Sequence, residues 1–532
     1  MRSRVRRRHT NELRAKAFWA HLKSFSPFMN QDPREYTQLL ATSLHSTLLT
    51  ARGPSRTSSE RSSNMRIPGS RPLAADVSAR LPIATTSRIS RLPVMPSPAS
   101  EPVMESAVTV IVADLLIPGR GSPVRNAAVA VEDGKIAHVG EHDELPERFR
   151  AVRPVHVPVI MPGLWDVHTH FIGLDVVTGF DTGIFNVLPG SNALVGAITV
   201  QDLEETLMAG YTSVRELGGY AGDLVPAIEK GRLVGPNVYS SIAAMSITGG
   251  HGDQHSLPIE TMLRFTECGG PCSIVDGADD CTKAVRLLVR RGARCIKVCS
   301  SGGVLSLLDD PEDRQLSDEE LKAIVEEASR SRRAVGAHAI GKAGIMAALR
   351  AGVKSIEHGM YLDDEVADVM IEKGAIFVPT HHIVTTISKA TSQLPPPIAR
   401  KVEKLVQKAK DSYRLAIRRG VKIALGTDSA SSDRTKGISH GNNAMELYWA
   451  VENGMTPLQA IEAGTANGPG VLGGMAPLSG QLKEGYDADL IAVAKNPLDD
   501  IEVLVKKENI THVWKGGRLL KSPPGHVPAV VL

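Results

Sequence analysis

PVIMPGLWDVHTH, residues 158–170, is the stretch whose reading decides the fold. Pro158 to Leu164 is an apolar run, which predicts a buried strand. The two histidines that follow, His168 and His170, occupy alternate positions and therefore share one face of extended chain. Imidazole is a common metal ligand, but a single His-x-His pair says little. Here the pattern continues in CIKVC (295–299) with Lys297, GAHAIG (336–341) with His338, IEHG (356–359) with His358 and GTDS (426–429) with Asp428. Each motif closes a strand-like run. Each candidate ligand is thus predicted at the C-terminal end of its strand, where parallel barrels keep their chemistry. Any one of these histidines would also suit a hydrogen-bonded core position; the five motifs together point to a site for two divalent cations.

Between these motifs strand and helix signals alternate. AGYTSVREL reads as a strand, Cys281 to Arg291 as a helix, and Ser317-Asp-Glu-Glu320 as a capping box opening a helix that runs to Arg330. AIFVPT reads as a seventh strand and KIALGTD as an eighth. His168 and Asp428 are 260 positions apart, close to the roughly 250 residues of a (β/α)8 barrel. The predicted fold is therefore α/β, a TIM barrel over 161–466. A small β-sandwich is expected from segments on both sides of it, 106–160 and 467–522. Residues 1–105 read as a disordered basic Ser/Pro-rich extension, and 523–532 as a tail.

The chain has 532 residues and a net charge of +3, which conceals a split. Residues 1–104 hold 17 Lys+Arg against 6 Asp+Glu, a net of +11, so the remainder carries 3 − 11 = −8. No nucleic-acid motif accompanies the basic arm, and no nucleic-acid partner is expected. The Arg- and Ser-rich start resembles a mitochondrial transit peptide, although a cytoplasmic location is the primary expectation. No apolar run reaches the ~18 residues of a membrane span. Five cysteines (268, 272, 281, 295, 299), an odd number in a chain that is no small scaffold, argue against a disulfide framework and for a reducing compartment.

With these motifs the chain resembles the amidohydrolase superfamily, in particular the branch of Xaa-Pro dipeptidases, imidazolonepropionase-like hydrolases and ochratoxinase. The resemblance covers about 106–520 and includes GYTSVRELGGY (210–220), GPNVYSS (235–241), GGHGD (249–253), GMTPLQAIEAGTANG (454–468) and GQLKEGYDADLIAVAKNPLDDI (480–501). It implies that His168, His170 and Asp428 bind one metal, and that His338 and His358 bind a second. It also implies that Lys297 bridges them as N6-carboxylysine, a CO2-derived carbamate. A bare ammonium suits a barrel interior poorly, since an unpaired buried charge costs several kcal/mol, and it offers a metal no lone pair. The metals are expected to be zinc.

What the resemblance implies about activity is hydrolysis of a C–N amide bond by a metal-bridging hydroxide, with Asp428 as general base and then acid. Substrates in view are small N-acyl amino acids, dipeptides such as Xaa-Pro and ochratoxin-like amides, turned over by a homo-oligomer. A cyclic-amide hydrolase or deaminase of the same superfamily and a non-catalytic scaffold are the alternatives; Lys297 disfavours the first and the full ligand set the second. On the substrate side, His251 in GGHGD and His440 are candidate contacts, and Arg215 and Tyr220 are candidate partners for a carboxylate. Relatives commonly carry a histidine where this chain has Ile340, and His381 and His382 are the neighbours that would compensate.

Overall fold

The computed structural model describes residues 108–173 and 192–524. All lie in the second of two compact units, Pro98–Leu532. The basic extension and residues 525–532 fall outside the described residues.

Both ends of the described chain meet in one mixed sheet. Its strands are β1 (Thr109–Leu116), β2 (Val124–Glu132), β3 (Lys135–Glu141), β4 (Val155–Pro162), β14 (Leu490–Val493), β15 (Ile510–Lys515) and β16 (Arg518–Lys521), in the order β16-β15-β14-β4-β1-β2-β3. Alternation along β1 and β2 buries Ile111, Ala113 and Val129 in one apolar cluster and Val110, Ala128 and Ala130 in another. The N- and C-terminal segments are hydrogen-bonded together as a single seven-stranded sheet.

The apolar run Pro158–Leu164, read as one buried strand ahead of His-x-His, is divided between two strands. Residues 158–162 are the end of β4, and the histidines belong to a separate strand, β5 (Leu164–Thr169), and its exit. Gly163 divides the two because the chain there presses on Thr212: a Cβ at 163 would lie 2.1 Å from its Oγ1.

β5 begins the parallel part. It pairs with β6 (Tyr211–Glu216), which pairs with β7 (Asn237–Ser240). A second sheet contains β8 (Ala244–Ser246), β9 (Cys272–Ile274), β10 (Ile296–Cys299), β11 (Val335–Ala339), β12 (Ser355–His358) and β13 (Ile376–Val378), in the order β13-β12-β11-β10-β8-β9. Backbone bonds join the two sheets. Arg294 N–H donates to Ser240 O (2.8 Å); Phe377 N–H donates to Lys422 O (2.9 Å) and Val167 N–H to Leu425 O (3.0 Å). The segment predicted as an eighth strand thus lies between β13 and β5. Gly426 permits that approach, since a Cβ there would sit 2.7 Å from His168 Cβ. Trp165, Val167, Cys295, Val378 and Ala424 pack together between the strands, a fully buried valine of this kind adding ~1.5–3 kcal/mol. Helices follow the strands; the one after β10, Asp318–Arg330, opens with the reciprocal Ser317–Glu320 bonds of a capping box.

Candidate metal centre

Lys297, His338 and His358 lie at or near the carboxyl ends of β10, β11 and β12, and His168 near that of β5. His358 and Asp428 take positive φ, +69° and +58°, as does Thr380 at +45°. Such φ values are costly for residues other than glycine and concentrate at functional sites. Ligand atoms of His168, His358 and Asp428 all lie within 4.8 Å of one another. Asp428 Oδ1 is 3.4 Å from His168 Nε2 and 3.2 Å from His170 Nε2. Lys297 Nζ is 3.4 Å from His168 Nε2. The rings of His338 and His358 have centroids 4.6 Å apart. All six predicted ligands therefore line one cavity of about 310 Å3.

The rings are oriented from behind. His168 Nδ1 is 2.9 Å from Glu357 Oε2, and His170 Nδ1 is 2.8 Å from Gly218 O. Both nitrogens must donate, which leaves each Nε2 lone pair facing Asp428. His338 donates from Nε2 to Gly302 O (3.0 Å), leaving Nδ1. His358 Nδ1 meets Thr380 Oγ1 at 2.7 Å. Burial holds His168, His338 and His358 well below the ordinary imidazole range, so their lone pairs are available. Burial likewise pushes the Lys297 ammonium down. Burial raises Asp428, yet its carboxyl stays below its usual value, so it stands ionised beside the rings. Neutral imidazoles, a carboxylate and a lysine disfavoured as a cation form a donor set that fits hard divalent cations.

Glu357 is the residue the sequence reading missed. Its Oε1 accepts from Arg215 Nη2 (2.7 Å) and Ser355 Oγ (2.5 Å) while Oε2 holds His168. Asp166 was missed too: it accepts from the N–H groups of His168 and Thr427 (both 3.1 Å) and from Asn443 Nδ2 (2.7 Å), tying β5 to the GTDS turn. Asp166 lies two residues before His168, so alternation could have found it.

The four substrate-side candidates separate. His251 lines the cavity, its ring stacked on His338 at 4.2 Å, and burial pushes it down to about 4. Arg215 does not reach the cavity. It is fully buried, and its guanidinium is committed to Glu357, Ser355 and Val167 O. Its role is structural: through Glu357 it supports the ring of His168. Tyr220 precedes helix Ala221–Glu229 away from the cavity wall, and burial pushes its phenol up to about 12. His440 lies behind the wall, stacked on Phe171 at 4.3 Å. His381 and His382 also face elsewhere: His382 Nε2 meets Gly437 O at 2.7 Å, and their backbone N–H groups donate to Glu446. They do not stand in for Ile340. Ile340 itself joins Met360, Ile383, Ile387, Val402 and Leu405 in an apolar wall. Of the cysteines, Cys272 and Cys299 line the cavity and Cys295 is core.

Comparison with known proteins identifies the family. Residues 159–520 match the model of the amidohydrolase family. The chain is 45% identical over 460 residues to ochratoxinase from Aspergillus niger, covering 83% of this chain and 94% of that one. The crystal structure of A. niger ochratoxinase superposes with a TM-score of 0.73 at 46% identity, covering 79% of this chain and 97% of that chain. A Xaa-Pro dipeptidase with methionine bound in its active site superposes with a TM-score of 0.69 at 30% identity, covering 78% and 100%. The fold is accordingly TIM-barrel-like.

Proposed function

The chain belongs to the amidohydrolase family, and from that premise we propose that it is a binuclear metal-dependent hydrolase of amide C–N bonds in small molecules carrying a large apolar group. The observation that carries the reading is the convergence of His168, His358 and Asp428 donor atoms within 4.8 Å, beside Lys297, under an apolar wall. We read the parallel strands and the Val421–Ser429 segment as a (β/α)8 barrel holding this centre. His168, His170 and Asp428 would hold one cation and His338 and His358 the other, with Lys297 bridging as its carbamate. When bound, zinc ions polarise a carbonyl and acidify water.

The remaining chemistry belongs to the side chains. Asp428, whose carboxyl lies below its usual value and is therefore ionised at neutral pH, accepts a proton from the attacking water. It then returns that proton to the leaving nitrogen. Ile340, Ile383, Ile387 and Leu405 exclude water and receive an apolar acyl or aromatic group. This wall supports N-acyl aromatic amino acids, dipeptides and ochratoxin-like amides as the substrate class.

The test is elemental analysis of protein purified without chelator, beside Lys297→Ala, with a hydrolysis assay on N-acyl-phenylalanines. About two metals per chain in the native protein, fewer in the variant and loss of hydrolysis there, is the expected result. One metal or none, unchanged by the substitution, overturns the bridged centre.

A further inference from the structure

A second polar network borders the cavity and converges on His251. The ring nitrogen Nδ1 is 2.9 Å from Ser306 Oγ. The Ser306 hydroxyl donates to Asp309 Oδ1, so its oxygen is left to accept from His251 Nδ1–H. The Asp309 carboxylate also accepts from Gly303 N–H (2.9 Å) and Gln315 Nε2 (3.3 Å). Gln315 Oε1 in turn accepts the backbone N–H of His251 at 3.0 Å, so main chain and ring are fixed by one loop. Lys401 clamps that loop: its Nζ donates to Gly303 O (3.0 Å) and Ser306 O (2.8 Å) and lies 3.3 Å from Asp309 Oδ1. His338 stacks on the ring, and Gly303 presses so close that a Cβ there would lie 2.1 Å from it. Nε2 is the nitrogen left for the cavity.

We propose that Ser306 and Asp309, clamped by Lys401, are positioning residues that lock His251 in its Nδ1–H form and turn Nε2 into a hydrogen-bond acceptor for the N–H of a secondary amide substrate. None of the three touches the reacting atoms. The inference rests on the amide-hydrolase reading and deepens it: a tertiary amide, such as a bond to proline, has no N–H to offer. A buried acceptor left unpaired discriminates against a ligand that lacks the donor.

The experiment is a mutant cycle on metal-loaded protein, with N-acyl-phenylalanine and its N-methylated amide as paired substrates. Ser306→Ala and Asp309→Asn should each raise KM for the secondary amide roughly tenfold, with metal content unchanged and kcat moved less. Their effects should vanish in a His251→Ala background. The preference for the secondary amide should collapse in all three variants. Effects that persist in the His251→Ala background, or a preference that does not change, overturn the proposal. Nitrogen-15 spectra of the histidine rings, assigned with His251→Gln, decide independently of turnover. Nδ1–H in the native protein, lost in Ser306→Ala, supports the lock; Nε2–H in the native protein overturns it. A native protein that cleaves neither amide while its spectra show Nδ1–H refutes the hydrolase reading and leaves the lock standing.

Discussion

Replacing Glu357 by glutamine removes one charge and almost no volume, at a point where no water can compensate. The side chains of Glu357 and Arg215 are 0% exposed and that of His168 1%. Glutamine has one acceptor oxygen for two jobs. If it stays on Arg215 Nη2, the amide NH2 faces His168 Nδ1, and the ring must shift its proton to Nε2, where a lone pair is needed. If it turns to His168, the NH2 meets the guanidinium as donor against donor. Either way the buried Arg215 cation loses its counter-charge. Removing one partner of a buried pair costs about 3–5 kcal/mol, a large share of the ~5–15 kcal/mol that holds a domain folded. The substitution also weakens the group that orients a ligand, which costs about 10–100-fold in metal affinity. The assay is thermal unfolding of metal-depleted native and variant proteins, then retention of metal against a competing chelator. Ser355→Ala is the milder comparison: it removes a hydroxyl bonded to Glu357 Oε1 and Arg215 Nη1, about 1.5–3 kcal/mol for a bond to a charged group, but leaves the charge pair in place. A metal-depleted Glu357→Gln protein that melts with the native one and retains metal equally well refutes the argument.

Burial pushes the Glu446 carboxyl up to about 8, even though it accepts the backbone N–H groups of His381 and His382. The folded state then holds a proton that the unfolded chain releases near its ordinary value, so this group makes stability fall as pH rises from about 4.5 to about 8. Glu446→Gln should be less stable at low pH, having lost an acceptor, yet show a flatter stability–pH slope across that window; an unchanged slope contradicts the assignment. Ile383→Ala should lower kcat/KM for N-acyl substrates with a bulky aromatic group roughly tenfold while leaving N-acetyl analogues nearly unaffected, and equal losses on both would remove the apolar wall from specificity. Gly426→Ala places a methyl 2.7 Å from His168 Cβ and should reduce bound metal together with the melting temperature; normal metal content would show that β5 can yield there.

The convergence of the six proposed ligands was legible because each closes a run whose period and length announce a strand, and because parallel strands in one fold end on the same side. The capping box at Ser317 was legible for a similar reason, since both partners lie within one turn. What could not be read depends on contacts distant in sequence. Arg215 looks like a free cation after a strand, and only the position of Glu357, 142 residues away, shows that its charge is already committed. Glu357 is masked by the histidine beside it. Alternation assigns neighbours on a strand to opposite faces, yet the turn to positive φ at His358 allows both side chains to meet His168, one at its ring face and one at Nδ1. The break at Gly163 is invisible for the same reason: nothing in the apolar run from Pro158 announces that Thr212 fills the space a side chain would need. Sequence periodicity therefore locates the atoms that would touch a metal. The atoms that orient those ligands are set by which strands become neighbours, and they become visible only when β12 is placed against β11 and the Arg215–Glu357 pair is seen to reach beneath both to β5.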